Sequence, residues 1–326
     1  MTCAAALLVV SCSGDSSGST STSQAIPTSV PTTPEGSSTS STIAGATTTS
    51  APISTSTSEL SGAATTTVAP STTEPTVPEG NWAPEPLIVA SFGALGWWDG
   101  DSWVQVEADT QLPISGGEEY QIARFDIRAT TVGGEQTLLC EPLELPGVEL
   151  DDPELLGEWP GPYGVAISAP WRLTPRPIEE FTDPGVYSAA ARELLDQRGL
   201  DVAAPVIKQL IRADLDDDGT NEIIVVAEDI QGAYQPPTVG DYSIVFVRKV
   251  VDDQVQTAVL GESIIDDRDT DLNLGFAVGA VADLDGDGTM EVVVSTAYYE
   301  GLGVEVWQYF NDDLGMIPTV RAGCGA

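Results

Sequence analysis

LIRADLDDDGTNEIIVVAED (residues 210–229) aligns with GAVADLDGDGTMEVVVSTAY (residues 279–298), so the chain contains an internal repeat whose first aspartates lie 69 residues apart. In each copy, acidic residues occupy positions 1, 3, 5 and 9 of a loop, and a glycine occupies position 6, where a sharp turn is needed. Four carboxylates held together repel one another, and hard oxygen ligands of this kind suit a hard divalent cation. The repeat therefore predicts two sites for a cation of charge 2+. Their ligands are Asp214, Asp216, Asp218, Thr220 and Glu222 in the first loop (214–222), and Asp283, Asp285, Asp287, Thr289 and Glu291 in the second loop (283–291).

The surroundings of the loops distinguish them from EF-hands. An EF-hand needs a glutamate at position 12 and flanking helices, whereas position 12 here is Val225 or Val294, inside a β-branched run. The loops therefore connect strands. Together with Gly275-Phe276 before the second loop and Ser295-Thr296-Ala297 after it, this arrangement resembles the FG-GAP or VCBS repeat of integrin-α-type β-propellers.

The resemblance covers about 120 residues, from position 205 to the end of the sequence. It implies that each repeat contributes one four-stranded blade and that its Asp-rich loop binds calcium. One departure concerns the first loop, where Asp217 replaces the usual glycine at position 4. That loop is the weaker match of the two.

The remaining pattern predicts a mainly β fold, because short apolar runs alternate with Gly, Asp and Pro turns from Asn81 onward. One helix is expected near residues 184–198, with Asp183 as its cap and Pro184 at its first position. Residues 201–326 hold the two repeats, and residues 81–200 form a β-rich part with room for two more blades but no Asp-rich loop. Two architectures stay open: β-propeller-like repeats throughout, or a half-propeller fused to a separate N-terminal β region.

The N-terminus indicates export. Residues 1–12 form an apolar segment ending in Val9-Val10-Ser11-Cys12, which resembles a bacterial lipobox and would make Cys12 a lipid-bearing residue. A positively charged n-region is missing, so we expect the true start to lie upstream of Met1. The alternative is an export signal in which the cysteine is fortuitous. Residues 13–80, rich in Ser, Thr and Pro, predict a disordered tether, either O-glycosylated or unmodified.

Composition limits the possible chemistry. The net charge of −38 argues against nucleic acid as a partner, because phosphate binding needs clustered cations. The chain has no histidine, which excludes Ser-His-Asp and Cys-His catalysis and His-ligated zinc. A pair of carboxylates could still hydrolyse glycosides, but no pair stands out among so many acids.

Four cysteines are distributed so that one pairing is expected. Removal of Cys3 with the signal and acylation of Cys12 would leave two thiols in a domain facing an oxidising exterior. We therefore predict a disulfide between Cys140 and Cys324, the alternative being two free thiols.

Three weaker signals are interpreted conservatively. The side chains of Trp97, Trp98 and Trp103, around the turn of WWDGDSW, could form a sugar platform but are expected to pack in the core. The acidic run 266–271 is expected to be a solvated loop. Arg172 and Arg176 are expected to pair with nearby carboxylates.

The sequence as a whole favours a calcium-binding lipoprotein on the extracellular face of a bacterial membrane, held there by its lipid anchor alone. Its propeller-like domain would bind an extracellular protein or glycan. One alternative is a secreted carboxylate-based hydrolase or lyase on the same scaffold. Another is a structural envelope component without a specific ligand.

Overall fold

The computed structural model describes residues 79–158, 161–230, 236–266, 272–311 and 314–325. The predicted export signal with Cys12, nearly all of the predicted tether, and the acidic run after Asp266 lie outside these ranges. None of the helices within them is both long enough and apolar enough to cross a lipid bilayer.

The N-terminal part folds as one antiparallel sheet in the order β3-β2-β1-β7-β4-β5-β6. Its seven strands are β1 (Leu87–Ala90), β2 (Gly93–Trp98), β3 (Trp103–Gln105), β4 (Glu119–Ala123), β5 (Thr130–Leu139), β6 (Leu145–Leu150) and β7 (Val165–Ser168), with a 3₁₀ turn at Pro153–Leu156. The sheet curls until β6 approaches β2: a Cβ atom at Gly147 would lie 3.0 Å from the Cα atom of Gly93. The N-terminal part therefore forms one curled sheet and not the two further blades for which the sequence has room.

The two repeats form two antiparallel meanders. The second sheet, in the order β12-β11-β10-β9-β8, contains β8 (Ile178–Glu180), β9 (Ile207–Ala213), β10 (Glu222–Asp229), β11 (Tyr242–Val251) and β12 (Gln254–Ile264). The third sheet, in the order β13-β14-β15-β16, contains β13 (Gly275–Ala282), β14 (Glu291–Tyr298), β15 (Gly301–Asn311) and β16 (Gly315–Gly325). The prediction of a mainly β fold is confirmed, and the arrangement is compatible with a half-propeller-like fold.

The third sheet is the central layer of the domain. Val293 of β14 belongs to an apolar cluster shared with the first sheet, whereas its neighbours Val292 and Val294 belong to a cluster shared with the second. Successive side chains of a strand point to opposite faces, so both faces of β14 are buried. This explains why the strand is a continuous valine run and not an alternating one.

The helix α1 (Tyr187–Gln197) covers the outer face of the second sheet, where Ala191 and Leu195 pack in a cluster with strand residues such as Phe246. The predicted start of this helix was wrong. Asp183 does not cap it, because its Oδ1 atom accepts a hydrogen bond from the Gly185 N–H at 3.0 Å. Residues 183–186 therefore form a turn, and the helix begins after it.

The ends of the folded region are held together covalently. Cys140, at the end of β5, forms a disulfide with Cys324 of β16, with 5.7 Å between their Cα atoms. This is the pair that the sequence predicts. Beside it, the Gln105 side chain donates to the Arg321 carbonyl at 2.7 Å and accepts from the Arg321 N–H at 2.9 Å. The central sheet is thus tied to the N-terminal sheet.

The tryptophan-rich hairpin behaves as a packing element. Asp99 donates its N–H to the Ser102 carbonyl at 3.1 Å, so the predicted turn between β2 and β3 is present. Trp98 and Trp103 meet edge to face at 5.4 Å between ring centroids. Trp103 also packs against the cluster between the first and third sheets, and Trp97 against the interior of the curled sheet.

Candidate metal centre

Each acidic loop connects the first two long strands of a meander. Ala213 pairs with Glu222 across the first loop, and Ala282 pairs with Glu291 across the second. The antiparallel register therefore places the acid of position 9 opposite the residue just before position 1. Strand pairing therefore fixes both ends of each loop without the help of a ligand.

The same hydrogen bonds shape the two loops. The N–H of position 2 donates to the position 9 carboxylate at 2.7 Å in both, from Leu215 to Glu222 and from Leu284 to Glu291. The N–H of the position 6 glycine donates to the first aspartate, at 3.1 Å in the first loop and 3.2 Å in the second. These glycines adopt φ of +84° and +93°, values that residues with side chains rarely adopt. The sequence repeat is therefore also a repeat of backbone conformation.

The aspartates converge as the spacing predicts. One carboxylate oxygen from each of three aspartates lies within 4.8 Å of the others in both loops. The triads are Asp214, Asp216 and Asp218, and Asp283, Asp285 and Asp287. Thr220 and Thr289 close their loops by donating backbone N–H groups to Asp218 and Asp287, at 2.6 Å in each case. Carboxylates at this separation repel one another unless a proton or a cation lies between them.

In the first loop a lysine of this chain supplies that charge. The Nζ atom of Lys249 lies 2.5 Å from Asp216, 2.8 Å from Asp218 and 3.0 Å from Glu222. Its fourth neighbour is the hydroxyl of Tyr309, at 3.1 Å, which belongs to the third sheet. The Lys249 side chain is only 2% exposed, so the ammonium group is buried among these partners.

Lys249 and the acids of the first loop shift one another's pKa values. Burial alone would lower the pKa of Lys249, but the hydrogen bonds to Asp216, Asp218, Tyr309 and Glu222 outweigh it and raise the pKa above its ordinary value. The hydrogen bond to Lys249 lowers the pKa of Asp218. Burial raises the pKa of Glu222 despite the nearby ammonium group, because this side chain is fully enclosed. The ammonium group has three acidic partners and therefore remains charged.

The second loop has a glutamine in the corresponding place. Ile223 pairs with Arg248 in the second sheet and Val292 pairs with Trp307 in the third. The next residue of β11 is Lys249, which lies beside the first loop, and the next residue of β15 is Gln308, which lies beside the second loop. Gln308 donates its Nε2 amide to Asp285 at 2.9 Å. Within the described ranges, no lysine or arginine forms an ion pair with the four acids of the second loop.

The pKa values of three acids in the second loop are raised strongly, mainly by burial. Burial, followed in effect by neighbouring carboxylates, raises the pKa of Asp283 and of Asp285 to about 6. Burial and the charge of Asp285 raise the pKa of Glu291 well above its ordinary value. Its Oε1 atom is buried and has no hydrogen-bond partner, and the whole residue is 0% exposed. A buried carboxylate oxygen of this kind is satisfied by a proton, an ordered water molecule or a cation.

The first loop also has buried oxygens without a hydrogen-bond partner, namely Oδ1 of Asp214, Oδ1 of Asp216 and Oε1 of Glu222. Asp216 binds the ammonium group of Lys249 through its other oxygen, and the Asp214 side chain is hydrogen-bonded to Gly219. Oε1 of Glu222 makes no hydrogen bond but lies 3.0 Å from the ammonium group of Lys249, an ion-pair contact that Glu291 Oε1 does not have among the described residues. The two loops therefore differ in the charge that lies beside this glutamate oxygen.

The segment between β7 and β8 holds both loops. Trp171 donates its indole N–H to the Asp283 carbonyl at 3.0 Å, and a Cβ atom at Gly286 would lie 3.1 Å from the Trp171 ring. Arg176 donates to the carbonyls of Asp214 and Leu215, at 2.5 and 2.7 Å. The predicted pairing of Arg176 with a carboxylate is confirmed, since Arg176 also forms an ion pair with the exposed Asp217 at 3.9 Å.

The sequence interpretation found the acids of both loops but missed Lys249, Gln308, Tyr309 and Trp171, which lie on other elements. One signal was present, since Lys249 is one of only two lysines in the chain and interrupts an apolar strand.

Comparisons with protein-family models, with curated proteins and with solved structures find no match to this chain.

Proposed function

We propose that this chain is an exported surface protein whose propeller-like β domain is stabilised by calcium and recognises a ligand outside the cell. The observation that carries the calcium assignment is the unpartnered, fully buried Oε1 atom of Glu291, within an acidic cluster that has no ion pair with a lysine or arginine among the described residues. Asp283, Asp285, Asp287, Glu291 and the carbonyl of Thr289 would hold the ion. All five are hard oxygen donors, which suits calcium.

Calcium would act here as a structural charge. It would neutralise acids that burial makes costly to ionise, and it would fix the connection between β13 and β14 in the central layer. The resemblance to FG-GAP and VCBS repeats gives further support, because each acidic loop joins two neighbouring antiparallel strands, in a five-stranded sheet for the first loop and in a four-stranded sheet for the second. We propose that the two meanders are blade-like repeats of a half-propeller.

A melting experiment on the full-length protein tests the ion assignment. We expect calcium to raise the melting temperature over that in chelator, and Glu291→Gln to abolish the response. Glu300→Gln is a matched control, since Glu300 is exposed and lies outside the loop. Superimposed wild-type curves with and without calcium would show that the assignment is wrong.

Export and anchoring rest on two features. The Cys140–Cys324 disulfide fits an oxidising compartment, where such bonds persist. The lipobox-like segment ending at Cys12 would supply a lipid anchor. Cys12→Ala should move the protein from the membrane fraction to the medium or soluble fraction, with Cys3→Ala as the control that stays anchored. Unchanged fractionation of the Cys12 variant would exclude the anchor.

Recognition of an extracellular protein or glycan is the role that the resemblance favours. A glycan array and a cell-wall pull-down would be run beside a hydrolysis screen on the same polymers. We expect binding without turnover. Turnover would instead support the secreted hydrolase or lyase.

A further inference from the structure

Lys249 and Gln308 occupy equivalent positions beside the two loops, as the registers of β10 with β11 and of β14 with β15 show. Each faces a loop with acids at the same four positions and with the same two backbone hydrogen bonds from positions 2 and 6. Within the loops, position 4 differs, since Asp217 stands in the first and Gly286 in the second. Beside the loops, one side chain ends in an ammonium group and the other in a neutral amide, so this pair of residues changes the charge that faces the acids.

The lysine blocks the first loop to a metal ion. Its Nζ atom already lies within 3.0 Å of carboxylate oxygens from Asp216, Asp218 and Glu222, which are the same groups that a cation would need. A divalent ion placed among them would be repelled by the ammonium group at close range.

The lysine is also held in place from the neighbouring sheet. The Tyr309 hydroxyl lies 3.1 Å from Nζ, and the Tyr309 ring centroid lies 5.1 Å from it. With 2% of its side chain exposed, Lys249 has no open space into which it could swing. The ammonium group is thus a fixed part of the interface between the second and third sheets.

The glutamine leaves the second loop able to accept an ion. Its amide is uncharged and donates one hydrogen bond, to Asp285, while Glu291 Oε1 keeps no partner. The amide of glutamine also carries an oxygen, which belongs to the ligand types of calcium.

We infer that Lys249 is a built-in cation that replaces the metal ion of the first loop, so that the chain binds one calcium ion and not two. The residue at this position of the adjacent strand decides the occupant of a loop: lysine excludes the ion and glutamine admits it. The count of one ion rests on the proposed calcium site in the second loop. The exclusion at the first loop stands on its own contacts.

Calcium titration of the full-length protein by calorimetry, with melting curves in calcium and in chelator, tests this inference. Wild type should bind one ion. Gln308→Lys should bind none and lose its calcium-dependent stabilisation, because the new ammonium group would do in the second loop what Lys249 does in the first. Gln308→Met, of similar size and without charge, should still bind one ion.

The reciprocal variant, Lys249→Gln, should bind two ions, and adding Glu222→Gln to it should return the count to one. Lys208→Gln is the matched control, since Lys208 is exposed and remote from both loops, and its count should stay at one. If Lys249→Gln folds only in the presence of calcium, that dependence also supports the inference. Two ions in wild type would overturn it. If wild type binds one ion, then one ion in Gln308→Lys or no more than one in a folded Lys249→Gln would also overturn it.

Failure of the proposed function has a different signature. If wild type binds no ion but Lys249→Gln binds one that Glu222→Gln removes, the calcium site of the second loop is wrong and the blocking role of Lys249 stands. If neither protein binds an ion, both are wrong.

Discussion

The first and second loops share their acids, their glycine turn and their backbone hydrogen bonds, yet they solve the same electrostatic problem differently. In the first, a lysine from the neighbouring strand lies among the carboxylates. In the second, the corresponding glutamine leaves one oxygen of the buried Glu291, Oε1, without a hydrogen-bond partner. The same short acidic motif is therefore compatible with two different charge environments.

The comparison also shows why one loop can have a permanent charge and the other an exchangeable one. Lys249 lies at the interface of two sheets and is bonded to Tyr309 of the central one, so its charge contributes to packing between layers. The second loop lies against the segment that carries Trp171, which binds a backbone carbonyl and supplies no charge. The charge of Arg176 in the same segment lowers the pKa of Asp283 but does not outweigh the effect of burial. We propose that the remaining neutralising charge comes from a calcium ion.

Removing the built-in cation should have the largest effect. Lys249→Met leaves the carboxylates of the first loop buried without a counter-ion, and breaking a buried ion pair in this way costs about 3–5 kcal/mol. Urea denaturation in chelator should show that loss in the free energy of unfolding. Lys208→Met, at an exposed position, should change it by less than about 0.5 kcal/mol. Equal stability of the two variants would mean that Lys249 does not support the loop.

Calcium should have a smaller effect, of the size of one site. Extracellular modules bind calcium with dissociation constants of about 0.1–1 mM, and a tenfold excess over that stabilises by about 1.4 kcal/mol per site. We expect the free energy of unfolding to rise by about this amount in calcium. A rise of twice that size, half of it lost in Glu222→Gln, would indicate that both loops bind ions and would remove the distinction between them.

The last effect is that of pH, and it should differ between the loops. The pKa values of Asp283 and Asp285 are raised to about 6, so without calcium the folded state binds more protons than the unfolded state between about pH 4 and 6. The stability of calcium-free protein should therefore fall as pH rises through this window, by about 1.4 kcal/mol for each excess proton and each pH unit.

In the first loop, the contribution of Asp218 to stability depends on pH in the opposite direction. Its hydrogen bond with Lys249 lowers its pKa, so its contribution to stability is present above its ordinary pKa and is lost as the pH falls. Asp285→Asn should reduce the fall in stability with rising pH, whereas Asp218→Asn should leave that part of the profile in place. Both can be read from denaturation midpoints in chelator at a series of pH values. A profile that Asp285→Asn does not alter would contradict the assignment.

The sequence predicted those parts of the fold that depend on local pattern. Acids at alternate positions, a turn glycine and a β-branched run after it describe the loops and the strands that leave them, and these features do not need long-range information. The pairing of Cys140 with Cys324 was predicted because only two thiols would remain in the exported domain and because the exterior is oxidising. By contrast, the start of α1 depended on whether Asp183 bonds to a helical N–H group or to Gly185, and sequence does not decide between these two local bonds.

The occupant of each loop could not be predicted in the same way. Lys249 reaches the first loop only because β11 pairs with β10 in one register, and a shift of one residue would point it to the opposite face. Likewise, the central place of the third sheet depends on which apolar faces meet. Only the uninterrupted valines of β14 indicated burial on both sides.

The account can be tested most directly by locating the ion. Crystals of the protein grown in calcium, measured at long wavelength, would show bound calcium as peaks in an anomalous difference map. We predict one peak at these loops, among the oxygens of Asp283, Asp285, Asp287 and Glu291, and no peak beside the ammonium group of Lys249. A peak within the first loop, or none within the second, would contradict the account.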